Sequence, residues 1–354
     1  MNIFEYYMEI IDMKIARLYV TIIFVLLICG HLIYPDQKTE EKKTEIKYGA
    51  LVPWVMSSGT EPSSFPLYKP YSLTIDSEGN VYVLDVGNSC IVKYNKNGLF
   101  IKNWGHEGQG PGELGISPAS AIRFDKNENL AVTERQFNQR ITFFDKDGNY
   151  LSSFRTEHPA DSISFDSKNN TFISISGSTN NDNLIIKYDH NGNILDKFGK
   201  VFIEGMNPDY HESILVHDND DNLYQIFTHF PYIRKYDSNN HLIFQKEIDL
   251  SGDFNTESVK IWHNYNFSSP SNKFGDNWML FCTKAIFSSN SIFLLKLGSI
   301  INISTDGKYI SKKILETETS KKYGFLFDFC VTLKGDIYTT FIGKENVGIG
   351  LFIY

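Results

Sequence analysis

Two carboxylates, Asp85 and Glu134, each close a short run of β-forming residues, VYVLD and LAVTE. Acidic groups gathered in one cleft could share a hard cation or exchange a proton with a substrate. Cationic and aromatic side chains stand close by in the chain: Arg135 and Arg140 after the second run, His229, Tyr232 and Arg234 after a later one, and Lys284 further on. Cations beside aromatic rings suit an anionic or sugar-like ligand, or a partner's loop. Asp85, Glu134, Arg135, Arg140, His229, Tyr232 and Lys284 are therefore the candidate ligand-binding residues.

Other arrangements imitate reactive motifs without meeting their geometry. His211-Glu212 with His217 lacks the His-Glu-x-x-His spacing that sets two imidazoles on one helical face, and the segment reads as strand. Asp218 to Asn222 is rich in oxygen ligands, yet it has no glycine at the sixth place and puts His229 where a bidentate glutamate belongs. Gly110 to Gly115 matches a dinucleotide fingerprint in form, but Pro118 and a strand follow where a helix must begin. No Gly-x-Ser-x-Gly elbow and no Gly-Lys-Ser/Thr phosphate loop occurs. Cys90, Cys282 and Cys330 have neither metal nor redox spacing and read as small buried apolar residues.

The elements that must position the candidates come from a repeat. An aromatic residue, an Asn or Asp and a glycine recur at Tyr94 to Gly98, Phe144 to Gly148 and Tyr188 to Gly192, with weaker copies at Tyr236 to Asn240 and Ile303 to Gly307. Such turns between apolar runs mark tight β-hairpins, because Gly and Asn tolerate positive φ. A second Asp-rich turn recurs upstream of the first four, after Asp76, Asp125, Asp166 and Asp218. Each repeat is thus four strands, a to d. The b strands read VYVLD, LAVTE, TFISIS, LYQIFT, WMLFCT and DIYTTF, six in all. The sixth repeat ends after its third strand, and Ala50 to Val55 precedes the first repeat as a d strand would, so the N-terminal segment is expected to complete the last blade and remove its exposed edge.

The stretch SLTIDSEGNVYVLDVGNSCIVKYNKNGLFIKNWG, followed by GHEGQGPGEL, resembles NHL-repeat six-bladed β-propellers, in particular the membrane-anchored ones common in Bacteroidota. The resemblance implies an all-β, six-bladed β-propeller of four-stranded antiparallel blades, closed by an N-terminal strand and preceded by a hydrophobic helix. It also implies that the d to a and b to c connections share the ligand face. The b to c connections begin at Asp85, Glu134, Ser176, Thr228, Thr283 and Phe341, so only two begin on carboxylates. Asp161, His211, Glu212 and Asp328 lie near the starts of a strands, where alternation leaves their direction open. Relatives of this kind include binding scaffolds, lyases and calcium-dependent lactonases, so the fold does not dictate a reaction.

The organisation around the repeats is plain. Leu18 to Tyr34 is apolar and follows Lys14 and Arg17, which reads as an export signal or membrane anchor. Cys29 makes a lipoprotein signal and an uncleaved anchor equally good readings. Residues 1–34 are assigned to this segment, with 1–12 as an upstream extension from a misassigned start, residues 35–45 to a polar tether, and 46–354 to the propeller. A formal net charge of -8 argues against a protein that grips phosphate backbones. The expectation is a monomeric binding module in the cell envelope, outside the cytoplasm and tethered to the membrane, that takes a protein, peptide or glycan without chemistry or cofactor of its own. The alternative is a lyase or lactone/ester hydrolase using calcium or zinc in the axial channel.

Overall fold

A computed structural model describes residues 45–56, 65–115, 121–135, 139–176, 183–201, 208–249, 282–296, 299–315, 325–332, 334–342 and 347–353; of 45–56 it describes the backbone. Both kinds of Asp turn close by one device. In the a to b turn, Asp76 Oδ1 accepts the amides of Glu78 (3.0 Å) and Asn80 (2.8 Å), and Oδ2 accepts Asn80 Nδ2 (2.8 Å). Asp125, Asp166 and Asp218 repeat it with Asn129, Asn170 and Asn222. In the c to d turn, Asn95, Asp145, Asp189 and Asp237 do the same for the amides two and four residues on. A carboxylate or amide oxygen that takes up these N–H groups favours the turn over a continued strand. One residue of each turn enters the left-handed region, where Gly98 has φ 82° and Gly148 has φ 78°.

Those turns join four antiparallel four-stranded sheets, at 70–104, 122–155, 162–200 and 213–247. The fifth and sixth blades merge into one eight-stranded sheet through Glu45–Met56. Its first half runs parallel to the outer strand of blade five, from Glu45 opposite Ser311 to Gly49 opposite Leu315. Its second half pairs antiparallel with the third strand of blade six, from Ala50 opposite Ile353 to Met56 opposite Gly348. The last blade thus takes its fourth strand from the N-terminal side. Pro53 sits in the half that has one strand neighbour, at a register shift, the kind of place in a sheet where proline is tolerated.

The first strands of the blades are Pro70–Ile75, Ile122–Phe124, Ser162–Phe165, Ser213–His217, Lys284–Ser288 and Phe325–Val331. They touch between blades one and two, three and four, four and five, and five and six, the sixth touches the first, and blades two and three pack through Ala131, Ile141, Ile163 and Phe165, which closes a six-bladed propeller around an axial channel. Middle strands such as Val81–Asp85, Cys90–Tyr94 and Leu130–Glu134 are buried at every position, because blades stack on both of their faces. Trp104 packs between blades one and two, 6.0 Å from the Tyr82 ring and 6.4 Å from that of Phe144. It lies so close to Gly148 that a Cβ there would approach the indole to 2.5 Å. Cys90, Cys282 and Cys330 are free and buried, and burial pushes the Cys90 thiol up to about 12.

The fifth blade corrects the sequence reading. Its first and second strands are Lys284–Ser288 and Ser291–Lys296, so WMLFCT is not the b strand and Thr283 does not begin a b to c connection. The a to b turn here is Ser289-Asn290, with φ 48° and 60°, and carries no Asp-to-Asn clasp. Without that signature the sequence offers WMLFCT, an apolar run that precedes the first strand of this blade, as the b strand. Leu18 to Tyr34, Cys29, residues 35–44 and Trp278 lie outside the described residues.

Candidate functional site

Asp85 and Glu134 end equivalent b strands and hold the incoming connection of their own blade. Asp85 accepts the amides of Tyr68 (2.7 Å), Lys69 (2.7 Å), Gly87 (3.1 Å) and Asn88 (3.3 Å), and Nδ2 of Asn88 (2.9 Å). Glu134 accepts the Gly115 amide (2.7 Å), Arg140 Nε (2.7 Å) and Thr142 Oγ1 (2.6 Å). Arg140 in turn donates to the carbonyls of Gln109 (2.8 Å) and Glu113 (2.6 Å). Both carboxylates are fully buried, with their oxygens turned to the chain. Asp85, Glu134 and Arg140 therefore pin loops, as a buried anion must be hydrogen-bonded to be tolerated. In blade four Thr228 stands at the same place and bonds the Glu212 carbonyl.

His229 follows Thr228, with Nδ1 3.0 Å from its Oγ1 and its ring 5.5 Å from that of Tyr210. Tyr232 opens the third strand of blade four and packs on Leu184, Phe227 and Phe230; burial, then Glu247, pushes its phenol up. Arg234 lies inside that blade, bonded to Gln245 (2.7 Å) and the Lys200 carbonyl (2.6 Å).

A different set converges where the inner strands begin. Asp328 is fully buried in the sixth inner strand, and its Oδ2 accepts Ser72 Oγ (2.5 Å), the Leu73 amide (3.2 Å) and Arg123 Nη1 (3.2 Å). One carboxylate thus ties blades six, one and two together. Arg135 Nη2 meets Asp161 Oδ1 at 2.8 Å, joining blades two and three. Lys284 opens the fifth inner strand with Nζ 5.8 Å from the Tyr71 ring, and Tyr71 lies 5.3 Å from Phe327. Among the described residues no carboxylate lies within ion-pair distance of this ammonium.

These groups sense one another. Burial pushes the Lys284 ammonium down; Asp328 and Glu212 oppose that shift, and Arg123 and Arg135 reinforce it. Burial also pushes Asp328 up, but Arg123, Lys284 and the Ser72 hydroxyl together hold it below the usual carboxylate range. The loop-face end of the inner strands, the channel mouth, therefore gathers three cations, Arg123, Arg135 and Lys284, and three carboxylates, Glu212 and the buried Asp161 and Asp328, with the Tyr71 ring beside Lys284 and packed on Phe327. Of the residues expected from the sequence, the structure brings Arg135 and Lys284 to this mouth. Asp161, Glu212 and Asp328 are the strand-start acids whose direction alternation left open. Arg123, Tyr71 and Phe327 went unnoticed, although a charge inside an apolar inner strand, as in AIRFD or FLFDFCV, was the available signal. Among the described residues no three His, Cys, Asp or Glu side chains stand close enough together to hold a metal ion.

The profile of the NHL repeat matches residues 67–94, the first three strands of blade one. No curated protein matches the chain. Among solved structures the chain is similar to a putative exported protein from Bacteroides fragilis, at 14% identity and TM-score 0.58 over 88% of this chain and 98% of that one. It is also similar to a protein of unknown function from Bacteroides thetaiotaomicron, at 8% identity and TM-score 0.56 over 86% and 75%. A streptogramin B lyase structure aligns at 15% identity and TM-score 0.53 over 86% and 97%. At such identities the likeness shows the shared propeller fold and nothing further.

Proposed function

We propose that this protein is a binding module that receives a protein or peptide segment at the loop-face mouth of its channel, without chemistry of its own. Lys284 carries the reading: a partly buried ammonium beside aromatic rings, with no carboxylate at ion-pair distance among the described residues. Arg123 and Arg135 are already matched by Asp328 and Asp161, so Lys284 is the group whose charge a ligand carboxylate best complements. The apolar run Leu18 to Tyr34 supports a module tethered to a membrane and held outside the cytoplasm.

The test is a screen of immobilised full-length protein against acidic peptides and against a glycan array, with Lys284→Met in parallel. Peptide binding that weakens by roughly tenfold in the variant is the expected result. Glycan binding without peptide binding, or peptide binding that ignores Lys284, would sink the reading. Recovery of the protein in the soluble cytosolic fraction would remove the tether.

The competing reading is a lyase or ester hydrolase, and the displaced Lys284 equilibrium favours it, since burial that disfavours the ammonium is how a lysine becomes a base. The streptogramin B lyase shares the fold but no shown residue role. Turnover of a cyclic depsipeptide or lactone that Lys284→Met abolishes would decide for the enzyme.

A further inference from the structure

The far end of the channel has a different chemistry. A cavity of about 280 Å³ lies between the later halves of all six inner strands, toward the a to b turns, and is lined from blade one by Leu73, Thr74 and Ile75. Its size falls near the lower limit of small-molecule pockets, roughly 300 Å³. The charged and polar groups come from blades one to four: Thr74, Arg123 and Lys126, Ser164, and His217. Blades five and six supply an apolar wall of Ala285, Ile286, Phe287, Cys330 and Val331.

Among the described residues no carboxylate lines this cavity. Asp76, Asp125, Asp166 and Asp218 end the neighbouring inner strands, but each has its oxygens turned to its own turn. Asp166 is further paired with Lys187 at 3.2 Å, and Asp221 is bonded by the Ser167 amide. Arg123 is balanced by Asp328. Lys126 is left as the exposed cation at the rim, with no carboxylate at ion-pair distance among the described residues. Ser164 Oγ and His217 Nδ1 share a hydrogen bond at 2.7 Å across the boundary of blades three and four. Burial pushes the imidazole down to about 4; Asp166 and Asp221 oppose that shift and Lys126 and Lys187 reinforce it, so it meets a ligand as a neutral polar group at physiological pH.

We propose that this turn-end cavity binds a small amphipathic organic anion, its carboxylate against Lys126 and the Ser164–His217 pair and its short aliphatic or aromatic body against Ile286, Phe287 and Cys330. A cation and hydrogen-bonding groups facing an apolar wall fit that class and fit neither a fully polar anion nor a neutral hydrocarbon. The site meets the loop-face end of the channel at Arg123, which Asp328 holds, and its proposed ligand contacts do not include Lys284.

The experiment is fluorine NMR of para-fluorobenzoate with the full chain in detergent micelles, with empty micelles as blank and para-fluorobenzamide as the neutral analogue. Saturable binding that is at least roughly tenfold weaker for the amide and for Lys126→Met is expected. Lys126 is exposed, so this variant leaves the core intact. Lys284→Met should bind the acid as the unaltered protein does, which separates this site from the mouth. No saturable binding, equal binding of acid and amide, or indifference to Lys126 overturns the proposal. Displacement of the acid by inorganic phosphate at comparable concentration overturns the amphipathic class.

Discussion

The same six strands build both ends of the channel, yet the loop-face end gathers six charges and the turn end presents apolar wall, a neutral imidazole and one unmatched lysine. The difference follows from where each end's acids find their partners. At the turn end every inner-strand aspartate folds back onto its own next four residues, so its charge stays local. At the loop end Asp328, Asp161, Asp85 and Glu134 reach across to other blades or to connections far along the chain. Acids that close local turns make a repeat; acids that reach across make a site.

Removing the cross-blade acid should have the largest effect. Asp328→Ala leaves Arg123 without its counter-charge and should lower stability by about 3–5 kcal/mol, read as a fall in the denaturant midpoint. Because the folded-state carboxyl is held below its usual range, its contribution is present above the ordinary carboxylate pKa and fades as pH falls through the lowered one. The acid limb of a stability curve should flatten in Asp328→Asn. Equal loss from Asp328→Ala and from the turn acid Asp125→Ala would break the comparison.

A clamp should rank next. Asp85→Ala should cost about 2–3 kcal/mol and speed hydrogen exchange at Tyr68 and Lys69, seventeen and sixteen residues away, whereas Asp125→Ala should loosen its own turn alone. Exchange that spreads equally in both variants would show that the turn acids also act at a distance.

His217 gives a pH signature for the turn end. Its folded pKa of about 4 lies below the ordinary 6.5, so the unfolded chain binds the extra proton and stability declines as pH drops from about 6.5 to about 4. Replacement by Gln should remove that part of the slope while leaving the Asp328 limb below it. The smallest change belongs to Lys284→Met, at about 1 kcal/mol or less, because Met keeps the apolar stem and burial already disfavours the charge. A larger loss would mean that Lys284 holds the fold together instead of awaiting a ligand.

Much of this was legible in the residues. Asp76 with Asn80 and Asp145 with Asn149 announce two turn types, and their spacing counts four blades without any structure. Blade five was misplaced because Ser289-Asn290 turns by backbone conformation and leaves no Asp-to-Asn mark. Asp85 and Glu134 stood out as acids at strand ends, but the amides of Tyr68, Lys69 and Gly115 that they hold are brought in from the preceding connection, which no local pattern reveals. Arg123 looked like one charge in a short strand; its meaning needed Asp328, more than half the chain away.

What the sequence determined by itself was the repeat, since side-chain-to-backbone bonds within each turn act over four residues and recur wherever the residues do. It also pointed to Ala50 to Val55 as the fourth strand of the last blade, where the structure pairs Ala50 to Met56 with Val347–Ile353. Which charges meet was decided only by the tertiary structure. Closing the ring sets Phe325–Val331 beside Pro70–Ile75, and this contact between the two ends of the propeller brings Asp328, Ser72 and Arg123 within hydrogen-bond reach. Coulomb and hydrogen-bond energies depend on separation in space, and only the closed ring defines that separation for residues so far apart in the chain.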